Sequence, residues 1–278
     1  MGQSNNVTEF VFLGLTQDPA GQKTLFVLFL LIYIMAMLRN LLIAVTVIDS
    51  PSLNAPVYFF LACLSLLDAF YCNTISPNLS IDLLYNKKSI SFNACMVQLF
   101  VEHLFGGVEV FLLIFMAYDC YVAICKPLHY FTIMSRQVCI CLLLVAGVGG
   151  LVHSLIQLLS VYKLSFCGPN VIDHFMCDMN PLLGLACTDT YFLCLLSLLT
   201  VRKGGIKPCS PVAPHIMVMI CFFCSLYYAR SVSNFPIDKY ITVFCTVASP
   251  MTNPLTCTLR NSEMKNSIKK LWCKTPTT

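Results

Sequence analysis

Long apolar runs separated by short polar stretches set the pattern of this chain. Continuous apolar windows cover residues 24–48, 57–84, 95–119, 138–160, 213–230 and 237–258. Each is close to the roughly 20 residues a helix needs to cross a bilayer. A membrane β-barrel would show alternation over segments of about ten residues instead. Between the fourth and fifth windows lies a weaker segment, 181–201, whose strongest part, Tyr191 to Val201, has about half the length of a span. Residues 259–273 carry Met264, Ile268, Leu271 and Trp272 on one helical face, with Lys265, Lys269 and Lys270 on others. That spacing predicts an amphipathic helix lying on a membrane surface.

Composition agrees with a membrane protein. Of 278 residues, 58% are hydrophobic and only 11% charged, with a mean hydropathy of +0.78. Soluble domains carry roughly a quarter charged residues. The net charge of +4 does not point to nucleic acid, because the basic residues fall in short loops and in the tail. Residues 1–23 lack the basic start and short apolar core of a cleaved signal peptide, so the first span is expected to act as an uncleaved signal. The expected division is an outer N-terminal segment, 1–23, a helix bundle, 24–258, and an inner tail, 259–278.

Orientation follows from Lys and Arg placement. With the N-terminus outside and seven crossings, ten basic residues fall inside (among them Lys126, Arg136, Arg202, Lys203 and Lys207) and six outside, with Arg39 inside a span. The basic cluster 202–207 requires a crossing before it, so the weak segment is expected to span. Asn6-Val7-Thr8 is a glycosylation sequon that is usable only if this segment faces the lumen.

Polar groups within the spans are costly, a few kcal/mol each on insertion scales. Asn40, Asp68, Glu109 and Asn253 each interrupt an apolar run, and together they could form a hydrogen-bonded network between helices. Two nearby carboxylates cannot both stay ionised without a cation between them. A sodium ion at Asp68 and Glu109, or one protonated acid, would resolve this; four separately satisfied residues is the alternative. Most of the 17 cysteines lie in apolar runs, where a thiol behaves as a small hydrophobe. Cys95, Cys167, Cys177 and Cys187 fall outside, where disulfides persist, and four cysteines allow three pairings. Cys221 and Cys224 sit in an apolar span without a second ligand pair, which argues against zinc. No phosphate loop or nucleophile elbow is present, so no enzyme and no cofactor is expected.

One run is more specific than any of these features. Met116-Ala117-Tyr118-Asp119-Cys120-Tyr121-Val122-Ala123-Ile124-Cys125 closely resembles the sequence that ends the third helix of olfactory receptors, a branch of the rhodopsin-like G-protein-coupled receptors. Further matches occur in order. They are Thr8-Glu9-Phe10, Leu38-Arg39-Asn40, Ala55 to Leu61, Leu64 to Asp68, Phe166-Cys167 through Cys177 to Cys187, Ser249 to Leu255, and Leu259-Arg260-Asn261. The resemblance implies a seven-helix plasma-membrane receptor with an extracellular N-terminus. It implies a small hydrophobic odorant bound in the bundle and coupling to a stimulatory olfactory-type heterotrimeric G protein. It also implies disulfides Cys95–Cys177 and Cys167–Cys187. Glu102, His103, Phe105, Gly106 and Gly107, with Tyr227 and Tyr228, match the pocket region; close packing of small residues is the competing reading for Gly106 and Gly107. Asp119, Cys120 and Tyr121 match the coupling site, and Asn40, Asp68, Glu109 and Asn253 the bundle network.

Four departures from the family pattern point to impaired signalling. Cys120 stands where the family has Arg, Arg39 where it usually has Gly, and Cys257 where it has the Tyr closing its seventh-helix motif. Arg202-Lys203-Gly204-Gly205 follows Tyr191 almost at once, so about one span's worth of residues is missing around the fifth helix. The expected fold is therefore an all-α seven-transmembrane bundle with a truncated fifth helix and a short C-terminal amphipathic helix, in contact with membrane lipid. A non-signalling membrane protein that oligomerises with intact receptors is one competing reading. A transporter or channel is another, which paired half-repeats would favour. A glycosylation tag added at the C-terminus should stay unmodified if seven crossings form; modification would mean that the weak segment does not cross.

Overall fold

The computed structural model describes residues 7–16, 18–51, 53–84, 89–166, 169–187, Met264 and 266–268, with side chains left aside at 75–84 and Asn180. Helices α1 (Pro19–Asp49), α2 (Pro56–Leu84), α3 (Phe92–Cys125) and α5 (Arg136–Tyr162) occupy the first four apolar windows. All four are long and apolar enough to cross a membrane. A one-turn helix, α4 (Tyr130–Ile133), lies between α3 and α5, and a short helix, α6 (Met179–Gly184), follows them. The windows at 213–230 and 237–258 lie outside the described residues, as does 188–201 of the weak segment.

Local sequence sets the helix starts. The Asp18 side chain accepts from the Gly21 N–H at 2.8 Å, and Pro19 occupies the first helical position of α1, where a missing N–H costs nothing. Ser91 caps α3 through the Ala94 N–H, and Ser135 caps α5 through the Val138 N–H. With 34 residues, α3 is about 51 Å long at 1.5 Å per residue, well beyond the roughly 30 Å hydrocarbon layer. The helix is therefore longer than the apolar slab is thick. The run at 116–125 forms its last turns, still helical.

The pairing of α3 with α5 depends on glycine. A Cβ on Gly150 would meet Val108 Cγ2 at 2.5 Å, the Val108 backbone nitrogen at 2.9 Å and the Leu104 carbonyl oxygen at 3.0 Å. On Gly107 it would meet the Gly150 Cα at 3.0 Å, and on Gly149 the Phe111 ring. Small residues let two helix backbones approach where no hydrophobic effect drives them together. The Ser154 hydroxyl donates to the Phe100 carbonyl across the same interface.

A feature absent from the apolar pattern closes the N-terminal end of the bundle. Strand β1 (Glu9–Phe12) lies between β2 (Ser89–Ser91), antiparallel, and β3 (Val171–Ile172), parallel. Alternation within β1 turns Phe10 and Phe12 inward, 0% and 5% exposed. They join Leu99, Phe166, Ile172, Met179 and Leu182 in one cluster. Phe10 meets Phe166 edge-on, with ring centroids 5.6 Å apart. The first residues of the weak segment belong here too: Pro181 to Gly184 lie in α6, with Leu182 and Leu183 buried in this cluster. At the other end a second cluster gathers Ile43, Leu53, Tyr58, Leu61, Leu64, Leu112, Met116 and Val122. Met264, fully buried, joins it, and Ile268 packs against it. Residues 264 and 266–268 are helical; the rest of 259–273 lies outside the described residues.

Gly150→Val should therefore destabilise the bundle by about 1–3 kcal/mol, because two of the three atoms in the way are backbone and cannot turn aside. Gly147→Ala should be tolerated, because nothing lies within 4 Å of the added carbon. Thermal unfolding of the two variants in detergent, beside the unmodified chain, checks the contrast.

Candidate functional site

The residues singled out by sequence fall in four layers along α3. Near the sheet end, Cys95 bonds Cys177, tying the first turn of α3 to the segment between β3 and α6. The bridge closes a loop of 82 positions, a constraint worth several kcal/mol in the chain-entropy account. The Gln98 side-chain oxygen accepts from the Cys177 N–H at 3.3 Å, so the tether is held twice. Cys187 is also disulfide-bonded, while Cys167 lies outside the described residues. Cys63, Cys72, Cys120, Cys125, Cys139 and Cys141 are free thiols; Cys72 and Cys139 are buried, as expected of small hydrophobes.

Below the bridge come the pocket candidates. The His103 ring nitrogen Nδ1 is 2.9 Å from the Leu99 carbonyl oxygen of its own helix, and the ring lies 5.8 Å from that of His153 on α5. His103 is thus turned to the α3–α5 seam. Phe105 faces the other way, edge-on to Tyr71 of α2 at 6.3 Å. The Glu102 oxygen Oε2 is buried and has no hydrogen-bond partner among the described residues. Adjacent Gly106 and Gly107 divide in role, since successive helical residues point about 100° apart. Gly107 is pressed against Gly150, whereas a Cβ on Gly106 would meet nothing within 4 Å. Packing accounts for Gly107, and room remains only at Gly106. Tyr227 and Tyr228 lie outside the described residues.

The middle layer is polar and buried. Asn40 on α1 (0% exposed), Ser65 and Asp68 on α2 (0% and 1%) and Glu109 on α3 (7%) lie in the interior. Asp68 and Glu109 act on each other electrostatically, and Arg39 acts on Asp68. Asn253, the fourth predicted member, lies outside the described residues. Among the described residues no group of three or more His, Cys, Asp or Glu could hold a metal.

At the far end Asp119 is 2% exposed, and its Oδ1 accepts a 3.0 Å hydrogen bond from the Tyr130 hydroxyl. Burial, then the neighbouring Asp119, pushes the Tyr130 phenol above its ordinary range, so it remains a donor throughout the physiological pH range. Sequence gave no hint of this partner; Tyr130 lies eleven residues on, in α4. Cys120 is a half-buried free thiol beside Asp119. Tyr118 and Tyr121 stack at 6.4 Å, 46% and 47% exposed.

Tyr130→Phe removes the donor and leaves a carboxylate oxygen buried without it, which should cost about 1–3 kcal/mol. A lowered melting temperature checks this, and Asp119→Asn on the same background should recover part of the loss.

Comparison with known proteins agrees with the layout. Residues 29–202 match the family model described as olfactory receptor. The chain is 55% identical to human Olfactory receptor 4A8 over 299 aligned positions, covering 98% of this chain and 95% of that protein. Human Olfactory receptor 4A5 is 54% identical with the same coverage. Mouse Olfactory receptor 4B13 is 48% identical over 98% of each chain.

Proposed function

Because the chain belongs to the olfactory receptor family, we propose that it is an odorant receptor whose coupling to a G protein is impaired. The family is one of receptors, so the chain is not an enzyme, and it is a multi-pass membrane protein. In the proposed reading the sheet end, with residues 1–23, faces outward from the plasma membrane. Residues 24–258 form the bundle and 259–278 an inner tail. A small hydrophobic odorant sits beside Phe105 and Gly106, with Glu102 or His103 as a polar contact and Tyr227 and Tyr228 on the opposite wall. Cys187 pairs with Cys167, and Asn6 carries glycan.

The observation that carries the impairment is the state of Asp119. Its carboxylate is buried and engaged by Tyr130, and the next residue is a thiol. A thiol has neither the charge nor the fork of donors that a guanidinium would present to a stimulatory olfactory-type G protein. Length supports the same reading. The alignment to the human relative spans 299 positions against 278 residues, so at least 21 positions of that alignment have no residue in this chain. The family match ends at 202, where Arg202-Lys203-Gly204-Gly205 begins. A shortened fifth helix would remove pocket wall and coupling surface together, and would leave lipid against a gap.

Expression of the full chain should give surface exposure without odorant-evoked cAMP. Cys120→Arg combined with a fifth helix restored from Olfactory receptor 4A8 should raise the response, while either change alone should recover less. Robust cAMP from the unmodified chain would overturn the impairment.

A further inference from the structure

Arg39 brings a positive charge into the layer where two carboxylates already lie. It sits on α1, one position before fully buried Asn40, on the helix that packs along α2. Among the described residues its buried Nη2 has no hydrogen-bond partner, and neither has Oδ2 of Asp68. Asp68 is 1% exposed and interacts electrostatically with Arg39 on one side and Glu109 on the other. A donor and an acceptor of opposite charge, both removed from water and both unfilled, are each other's natural complement. A charge-assisted hydrogen bond, direct or through water, is the contact such a pair makes.

Two carboxylates in one apolar layer can both stay ionised only with positive charge between them. A free ion must be captured from solution and give up its hydration and its translational freedom. A guanidinium tethered one helix away has given up that freedom already. Its planar fork can also address both oxygens of a carboxylate.

We propose that Arg39 is a built-in counter-cation for the Asp68–Glu109 pair, supplying from the chain itself the charge that a free monovalent cation would otherwise bring. The inference goes beyond odorant reception and does not depend on it, since it concerns stability in salt and not signalling.

The test uses the full chain purified in detergent, unfolded by heat in sodium chloride or in N-methylglucamine chloride at equal ionic strength. Reaction of the buried thiols Cys72 and Cys139 with a fluorogenic maleimide reports unfolding. The unmodified chain should melt at the same temperature in both salts. Arg39→Gly should acquire a sodium-dependent rise of about 3 °C. Adding Asp68→Asn to that variant should abolish the rise. Arg39→Gln keeps most of the side chain's bulk without its charge, and should behave like the glycine variant if the latter folds poorly. A sodium-dependent rise in the unmodified chain equal to that of the variants would overturn the proposal. So would the absence of any rise in Arg39→Gln. Either result would mean that the guanidinium does not stand in for a free cation at the acidic pair.

Discussion

Inside an apolar slab no water is available to complete a hydrogen bond, and every polar group must find its partner within the protein. The described part of this bundle can be followed from that one requirement. Backbone groups are satisfied by helix formation, so four long helices arise from four apolar windows. The helices must then adhere without a hydrophobic gradient, and they do so through backbone approach at Gly107 and Gly150 and through the Ser154–Phe100 hydrogen bond. Three ionisable side chains, Arg39, Asp68 and Glu109, share one layer, where Asp68 interacts with both of the others.

That layer separates two ends of different construction. At the sheet end, covalent and hydrogen-bonded ties accumulate: the Cys95–Cys177 bridge, the Gln98 contact, three strands and an aromatic cluster. At the other end the packing is apolar, and the polar contact that stands out is local, from Tyr130 to Asp119. The substitution at Cys120 falls on the less heavily tied end, where a lost charge disturbs little of the packing. The proposed loss of coupling is therefore compatible with a preserved fold.

Much of this was legible from residue order alone. Apolar windows placed the four described helices to within a few residues, because length and continuity are set by the bilayer. The run at 116–125 pointed to the family that the comparisons show. Other features were out of reach for definite reasons. Strand β1 has four residues, one of them Glu9, in a segment that reads as polar and mixed; its strand character comes from partners far along the chain. The division between Gly106 and Gly107 depends on helix rotation against α5, which adjacent identical letters do not reveal. Tyr130 engages Asp119 only because the chain turns back after Cys125, and the apolar pattern has no term for that turn.

The position of β1 in the middle of its sheet has a further consequence. Asn170 donates to the Glu9 carbonyl across 161 positions of sequence, and Val11 pairs with both Ser89 and Val171. The first strand to leave the ribosome therefore waits for its last neighbour until the fourth helix has been made and inserted. Until then its outer edge is an open strand, able to pair with any other extended chain nearby. Completion of the sheet by β3 is what closes that edge.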